Sequence, residues 1–526
     1  MDSADYVIVG GGTAGAVLAA RLSENPRVTV ALLEMGGPTR DWGSPRAVFE
    51  SITNSIAMPM RRSCRSTTQG PFSGRSVPLV FGSGLGGTSA IGDGLYMRGT
   101  PKDYEGWAAL GLPGWAARDV MPFFRRAEGQ MRDGALQGGP LPIALPEQPG
   151  RLTRAFVEGA RALGLPFQQV CSGAQTEAVG FLPQVQLNGQ RISTAAAYLD
   201  GAADRQNLAV LTAARVERVE IANGRAAGVA YRRGPRALTI AARREVILAA
   251  GSYHSPKLLM LSGIGNGEIL SPLGIGVVCD RPGVGQNLQD HLSYTIGYGG
   301  AETPAAPSSL QGLGRIAEKA FALGLGEPLR AEAGAMIRST SVIEQPDLHV
   351  QFVVALLETA LRRVPLHDGF TGRIALLQPR SRGSVTLAGA GPRSAPKIDP
   401  GFFSDRRDLR VMVHAARLLR RLLETHALET HRGEMAFGPA GDTEMEIEFD
   451  ICSRAASLYD PVGTCAMGPV GSEERVTDHR LKVCGVDGLR VADASVMPTI
   501  PSAPTLATTV MIAEKAAQMI REDAGA

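Results

Sequence analysis

The first 35 positions alternate between apolar blocks of two different lengths. Tyr6 to Val9 is a short apolar run, Ala14 to Leu22 is an alanine- and leucine-rich stretch of helical length, and Val28 to Leu33 is a second short apolar run. The pattern predicts strand, helix, strand. Between the first strand and the helix lie Gly10, Gly12 and Gly15 in G-x-G-x-x-G spacing, and the second strand ends on Glu34. Glycines at these places permit a tight turn, close approach to a pyrophosphate and close helix packing, while the N–H groups that open the helix face phosphates. A carboxylate about 20 residues beyond the last glycine accepts hydrogen bonds from a ribose diol. All these features fall in order, which predicts a dinucleotide grip.

Further along, Gly82 to Gly99 is too rich in glycine for a helix interior and suits backbone lying against a flat ligand. Pro-, Gly- and Arg-rich sequence then reads as a link to about Arg151. From Leu208 the pattern changes to short strands, LAVLTAARVERVEI, AAGVAYRR and ALTIAA, with Asn223-Gly224 as a turn, which predicts an antiparallel meander. A buried strand, Glu245 to Ala250, follows, and it runs through Gly251 into the helix SPKLLMLSGIG. From about Ser293 to Asp450, alternating strands (PDLHVQFVVALLE, RIALLQPRSRGSVTL) accompany a polar-faced helix over Asp408 to Thr425. The Arg pairs and clusters there (Arg362 with Arg363; Arg406, Arg407 and Arg410) read as solvated faces.

At 526 residues the chain is too long for one core, so two domains are expected. With 44% hydrophobic residues, 20% charged and a net charge of +3, the composition is that of a soluble enzyme and argues against a nucleic-acid partner. The six cysteines, Cys64, Cys171, Cys279, Cys452, Cys465 and Cys484, show no C-x-x-C spacing and read as reduced thiols, with no metal site. The first strand begins at Asp5, leaving no room for a leader, and no uncharged apolar run is long enough to span a bilayer, so a cytoplasmic location is expected.

These residues together resemble the glucose-methanol-choline (GMC) family of FAD-dependent oxidoreductases over nearly the whole chain. The matching segments are GGGTAG with Glu34, LGGTSAI at Leu85 to Ile91, AAGSYHSPKLLMLSGIG at Ala249 to Gly265 and PGVGQNLQDHL at Pro282 to Leu292. They continue with DPVGTCAMG at Asp460 to Gly468 and a C-terminal block, DGLRVADASVMPTIPS, ahead of the helix ATTVMIAEKAAQMI. The resemblance implies an α/β fold: a Rossmann-like FAD-binding domain with an inserted antiparallel meander, and an α+β substrate domain on an antiparallel sheet. Residues 1–115, 188–292 and 470–526 are expected to form the first domain, and 116–187 with 293–469 the second. It further implies noncovalent FAD contacted by Gly10, Gly12, Thr13, Ala14, Gly15, Glu34, Gly86, Gly87, Thr88, Ser89, Val216, Gly251, Asp493 and Ala494. Relatives with a tethered flavin carry a His where this chain has Ile91.

The departures from the family pattern cluster at the reaction centre. The His that precedes P-V-G-T in the family is Asp460 here, the Asn of the C-terminal segment is Leu506, and the Asn-Gly-Met after S-A-I reads Gly92-Asp93-Gly94. Asp460 is therefore the candidate base or acid, Leu506 an apolar wall in the second slot, and Asp93 a turn former or a further acid. His254 and His291 read as satisfied core histidines, and Ser502 and Pro504 as cap and early position of the last helix. The expected activity is oxidation of an alcohol-like small molecule. The alternative is a redox-neutral or light-driven flavin enzyme, a lyase, isomerase or decarboxylase. Fatty acid photodecarboxylases share the overall motifs, yet Leu377 stands where their Cys lies. No residue pattern identifies the substrate, the electron acceptor or an oligomeric state.

Overall fold

The computed structural model describes residues 1–37, 60–132, 135–170, 176–301, 331–356, 369–469 and 471–525. Cys171 and the Arg362–Arg363 pair lie outside the described residues.

Five strands pair in parallel in the order Leu208–Leu211, Val30–Leu33, Ser3–Val9, Arg236–Leu248 and Leu489–Val491. Both central strands are buried over their apolar runs, as expected of a parallel sheet covered on its two faces. The helices Thr13–Leu22 and Leu506–Asp523 pack against each other, and a buried Glu514 ties them by accepting from Arg21 (2.8–3.0 Å) and from the Tyr198 hydroxyl (2.7 Å).

Two expectations for this sheet change. Leu208–Leu211 is not a meander strand but a parallel edge strand beside Val30–Leu33. The chain turns away at Ala213, whose φ is +54° and whose N–H bonds Gly36 O (2.8 Å), so the antiparallel meander begins only at Ala214. The strands expected separately at ALTIAA and Glu245–Ala250 are one 13-residue strand, Arg236–Leu248. Its first half pairs antiparallel with Arg225–Arg233 and its second half parallel with Ser3–Val9, so its backbone stays bonded while it changes partner. The Asn223-Gly224 turn has φ of +51° and +75°, as a two-residue hairpin requires.

The second sheet runs in the order Arg432–Phe437, Leu292–Gly300, Gly369–Leu376, Leu348–Val353, Ala331–Ile337, Ala178–Phe181 and Phe167–Val170, with Ala456–Ser457 also on Leu292–Gly300. All its pairings are antiparallel except at the far edge, where Phe167–Val170 runs parallel to its neighbour. Alternate residues, including Tyr294, Ile296, Val350, Phe352, Phe370 and Ile374, bury themselves under the helices Arg151–Ala162, Arg406–Leu423 and Glu444–Arg454. The helix expected at Asp408 starts at Arg406 because Asp405 caps it, accepting from Arg407 N at 2.9 Å. The stretch read as a link to Arg151 holds two helices, Pro101–Ala109 and Ala117–Ala127. Pro101 there is the first helical residue, and Thr100 with Asp103 forms a capping box, so a residue counted as a breaker begins the helix.

Candidate active site and cofactor cradle

The glycines of the first turn differ in what surrounds them. Gly10 has φ +103°, and a Cβ on Gly15 would lie 1.8 Å from Gly10 O, so both are demanded by the protein's own packing. A Cβ on Gly12 would meet only Gly87 Cα, at 3.7 Å, and so would project into free space. Gly12 is also the N-cap of the Thr13–Leu22 helix, with no side chain capping it, so the N–H groups around Thr13 and Ala14 face that space. The second Gly-rich stretch lies against the first: Gly86 N donates to Gly11 O (2.8 Å), and Gly86 and Gly87 have φ of +87° and +52°. Thr88 is exposed above this junction, while Ser89 is buried and bonded to Gly86 O (2.6 Å) and Thr194 (2.9 Å).

Glu34 does more than the sequence implies. Its Oε2 accepts from Gly11 N (2.7 Å), and its Oε1 accepts from Gly36 N (2.7 Å) and Gly84 N (2.9 Å), so one buried carboxylate staples both Gly-rich loops. Asp493 acts likewise across the sheet, accepting from Gly251 N (2.8 Å), from Ser255 Oγ (2.6 Å) and from Ser495 N (2.8 Å). Ala494 begins the short helical turn beside it, and Val216 is buried in the meander. The cradle at Gly12, with its uncapped helix start and open space, fits the pyrophosphate of FAD.

The substrate side is built around Asp460. The segment before it is pinned: Tyr459 has φ +65°, its N–H bonds Ser457 Oγ (2.7 Å), and Asp460 N donates to Asp290 Oδ1 (2.9 Å). Asp460 Oδ1 accepts from both the N–H (3.1 Å) and the hydroxyl (2.8 Å) of Thr505, while Oδ2 lies 3.1 Å from His291 Nδ1. His291 is therefore no mere core filler. Its Nε2 donates to the carbonyls of Leu377 and Pro501, both at 3.1 Å, and carbonyls only accept, so that nitrogen carries a proton. Burial disfavours a second proton on this ring, but the hydrogen bond and charge of Asp460 and the charge of Asp290 outweigh it and raise the imidazole above its ordinary value. His291 Nδ1 thus faces Asp460 Oδ2, and the carboxylate raises the ring's proton affinity.

Asp290 completes the group. It is buried, accepts from the Ser457 hydroxyl, and burial together with the nearby Asp460 charge pushes it up to about 7. The PGVGQNLQDHL motif reads out as a clamp on the C-terminal block. Asn287 and Gln289 donate to Pro498 O (3.1 and 3.0 Å), Gln289 accepts from Ile500 N (3.2 Å), and His291 holds Pro501 O.

Leu506 is the first residue of the last helix and is half-buried. Ser502 does not cap that helix, because its N–H and hydroxyl go to Asp103 (3.0 and 2.8 Å); Thr505 is the N-cap residue and spends its side chain on Asp460. Asp93 is exposed and lies 3.5 Å from Arg373 Nη1, and Ile91 closes the short turn before it. His254 is neutral, because burial drives it down to about 4. Three groups escaped the sequence reading: His349, Gln351 and Arg373, all on the sheet face opposite the helices. The alternation in HVQF, which sends Val350 and Phe352 to the helices, was a signal for the first two. Among the described residues no group of His, Cys, Asp and Glu could hold a metal ion.

The family model described as GMC oxidoreductase matches residues 4–293 with its N-terminal part and 379–513 with its C-terminal part. An oxygen-dependent choline dehydrogenase from Sinorhizobium fredii is 36% identical over 98% of this chain and 95% of its own length. The crystal structure of pyridoxine 4-oxidase from Mesorbium loti superposes with a TM-score of 0.86 at 30% identity, covering 98% of this chain and 99% of that one. An FAD-dependent oxidoreductase from Chaetomium thermophilum superposes with a TM-score of 0.86 at 25% identity over 99% of this chain and all of its own. The chain belongs to the GMC oxidoreductase family and is an FAD-dependent oxidoreductase. No helix among the described residues is long and apolar enough to cross a membrane.

Proposed function

We propose that this chain oxidises an alcohol, with Asp460 taking the hydroxyl proton in place of the family's histidine. FAD in the cradle supplies the acceptor for the carbinol hydride. The observation that carries the reading is the hydrogen-bond count at Asp460. Oδ1 already accepts two hydrogen bonds from Thr505, and Oδ2 accepts one from His291, which leaves one acceptor position on Oδ2 for a substrate hydroxyl. The contacts from Thr505 and His291 fix the plane of that carboxylate, so the proton acceptor is oriented before the substrate arrives. The choline dehydrogenase and pyridoxine oxidase relatives support an alcohol as the reacting group. The free cysteines Cys64, Cys279, Cys452, Cys465 and Cys484 fit a cytoplasmic enzyme.

The test is anaerobic flavin reduction by a panel of alcohols in the dark. Asp460→Asn keeps the shape and the Thr505 contact but loses proton acceptance, so the reduction rate falls on the order of 100-fold while FAD stays bound. An unchanged rate refutes the role, and product formed without flavin bleaching assigns the redox-neutral alternative.

A further inference from the structure

Across the sheet from Asp460, the face opposite the helices carries a set of polar groups that the proton-transfer reading does not use. The register places Arg373 between Gln351 and Thr295, and His349 one pair along beside Ala375. Arg373 is largely buried, with its side chain 14% exposed, yet its Nη1 donates to a neutral acceptor, Gln351 Oε1, at 3.2 Å. Among the described residues its carboxylate partner is Asp93, at 3.5 Å and half exposed, which makes a weak pair. Among the described residues, Nε and Nη2 of Arg373 donate to no protein acceptor. Neither nitrogen is among the buried orphan atoms, so the fork opens toward accessible space, where an anion can bind it through two hydrogen bonds.

His349 supplies an independent second observation. It is fully buried, and neither ring nitrogen has a hydrogen-bond partner. Burial, with the neighbouring charges of His291 and Arg373, drives it down to about 3, so it is a neutral imidazole able to donate from one nitrogen and accept at the other. The register puts this ring on the same sheet face as Arg373, and the charges of both Asp460 and Arg373 act on it. The Tyr459 hydroxyl is also buried and unpartnered, and the charge of Arg373 acts on it. Unsatisfied buried polar groups of this kind are rare, and two side chains that carry them under the influence of one guanidinium mark a place completed by a ligand.

We propose that the substrate carries a carboxylate, which binds across Nε and Nη2 of Arg373 with His349 and Tyr459 donating to it, while its hydroxyl reaches Asp460. The substrate class is a hydroxy acid, not the quaternary ammonium alcohol named for the choline dehydrogenase relatives. The assignment rests on the alcohol-oxidation reading for the fate of the hydroxyl, but the anion site stands on its own residues.

The experiment separates the two. Holoenzyme is titrated with sodium butanoate and sodium benzoate, with butanamide and benzamide as neutral controls, at constant ionic strength, and perturbation of the flavin spectrum is read. At least one carboxylate is expected to bind, at least 10-fold more tightly than its amide. Arg373→Gln should weaken the carboxylate at least 10-fold and leave the amide alone, with Arg373→Lys intermediate because it keeps the charge without the fork. Asp460→Asn should retain carboxylate binding even though turnover is lost, so failure of the proton-acceptor reading leaves this result intact. In turnover, 4-(hydroxymethyl)benzoate should exceed both its methyl ester and choline in kcat/KM, and the Arg373→Gln loss should fall on KM. Carboxylates that bind no better than amides, affinity unchanged in both Arg373 variants, or choline as the faster substrate each overturns the proposal. Should Arg373→Gln fail to fold, the wild-type panel and Arg373→Lys decide.

Discussion

The cofactor edge of the parallel sheet and the inner face of the antiparallel sheet treat polar groups in opposite ways. At the first, Glu34 accepts from three backbone N–H groups and Asp493 from Gly251, Ser255 and Ser495, so the loops are rigid before any ligand arrives. The vacancies there include the helix-start N–H groups, the space beside Gly12 and the buried Ser83 hydroxyl. At the second, His349 and the Tyr459 hydroxyl are buried without partners, and Asp290 is held near neutrality at about 7. A saturated frame recognises one invariant ligand through backbone, whereas a face with unspent side-chain groups is completed by its substrate. Substrate identity therefore changes by exchanging a few side chains on the sheet while the cradle stays as it is.

The largest expected effects break the cradle. Gly15→Val drives a side chain into Gly10 O and should leave little soluble protein, whereas Gly12→Val meets no protein atom closer than 3.7 Å and should fold without FAD. Far-UV circular dichroism and the FAD released by acid separate these outcomes; a Gly12→Val protein that keeps its FAD would show that the phosphates lie elsewhere. Wild-type flavin should leave with the acid supernatant, because Ile91 offers no attachment atom.

On the substrate side, His291→Gln removes the imidazole from Asp460 and should cost about 10-fold in the rate of flavin reduction with little change in KM. A rate equal to that of wild type would reduce His291 to a clamp on Pro501. His349→Leu sharpens the contrast further. Replacing a buried, unpartnered imidazole by an apolar group of similar size should raise stability by about 1 kcal/mol while weakening carboxylate binding. Loss of stability in urea unfolding would mean that the ring is satisfied within the protein.

The smallest effect is the pH dependence carried by Asp290. Its folded-state value, about 7, lies above the ordinary 3.8. Between these values the folded chain holds a proton that the unfolded chain has released, so this contribution is fully present below about pH 4 and is lost as pH rises through about 7. Asp290→Asn should flatten that part of the stability profile, and an identical slope in wild type and variant would place the titration elsewhere.

The nucleotide grip was legible because its parts are local. Strand, turn, helix and acid lie within Asp5 to Glu34, and glycine spacing reports backbone geometry directly. Likewise, the departures from the family pattern expected at Asp460 and Leu506 needed only the motif. Sequence could not show that Glu34 staples two loops, that Thr505 and His291 divide the oxygens of Asp460, or that Ser502 turns to Asp103.

The sequence by itself determined the family, the cofactor and the position of the proposed proton acceptor, because each rests on short contiguous patterns whose backbone requirements are intrinsic. Only the tertiary structure decided the substrate side. Asp93, His291, His349, Arg373, Asp460 and Thr505 come from segments far apart in the chain, and their proximity depends on strand register and on which sheet face each residue takes. A one-residue slip in Leu348–Val353 would turn His349 and Gln351 into the helix layer and bring Val350 to the site. The charge and hydrogen-bonding state of those groups follows from that packing, because burial and partners, not residue type, set where each proton resides.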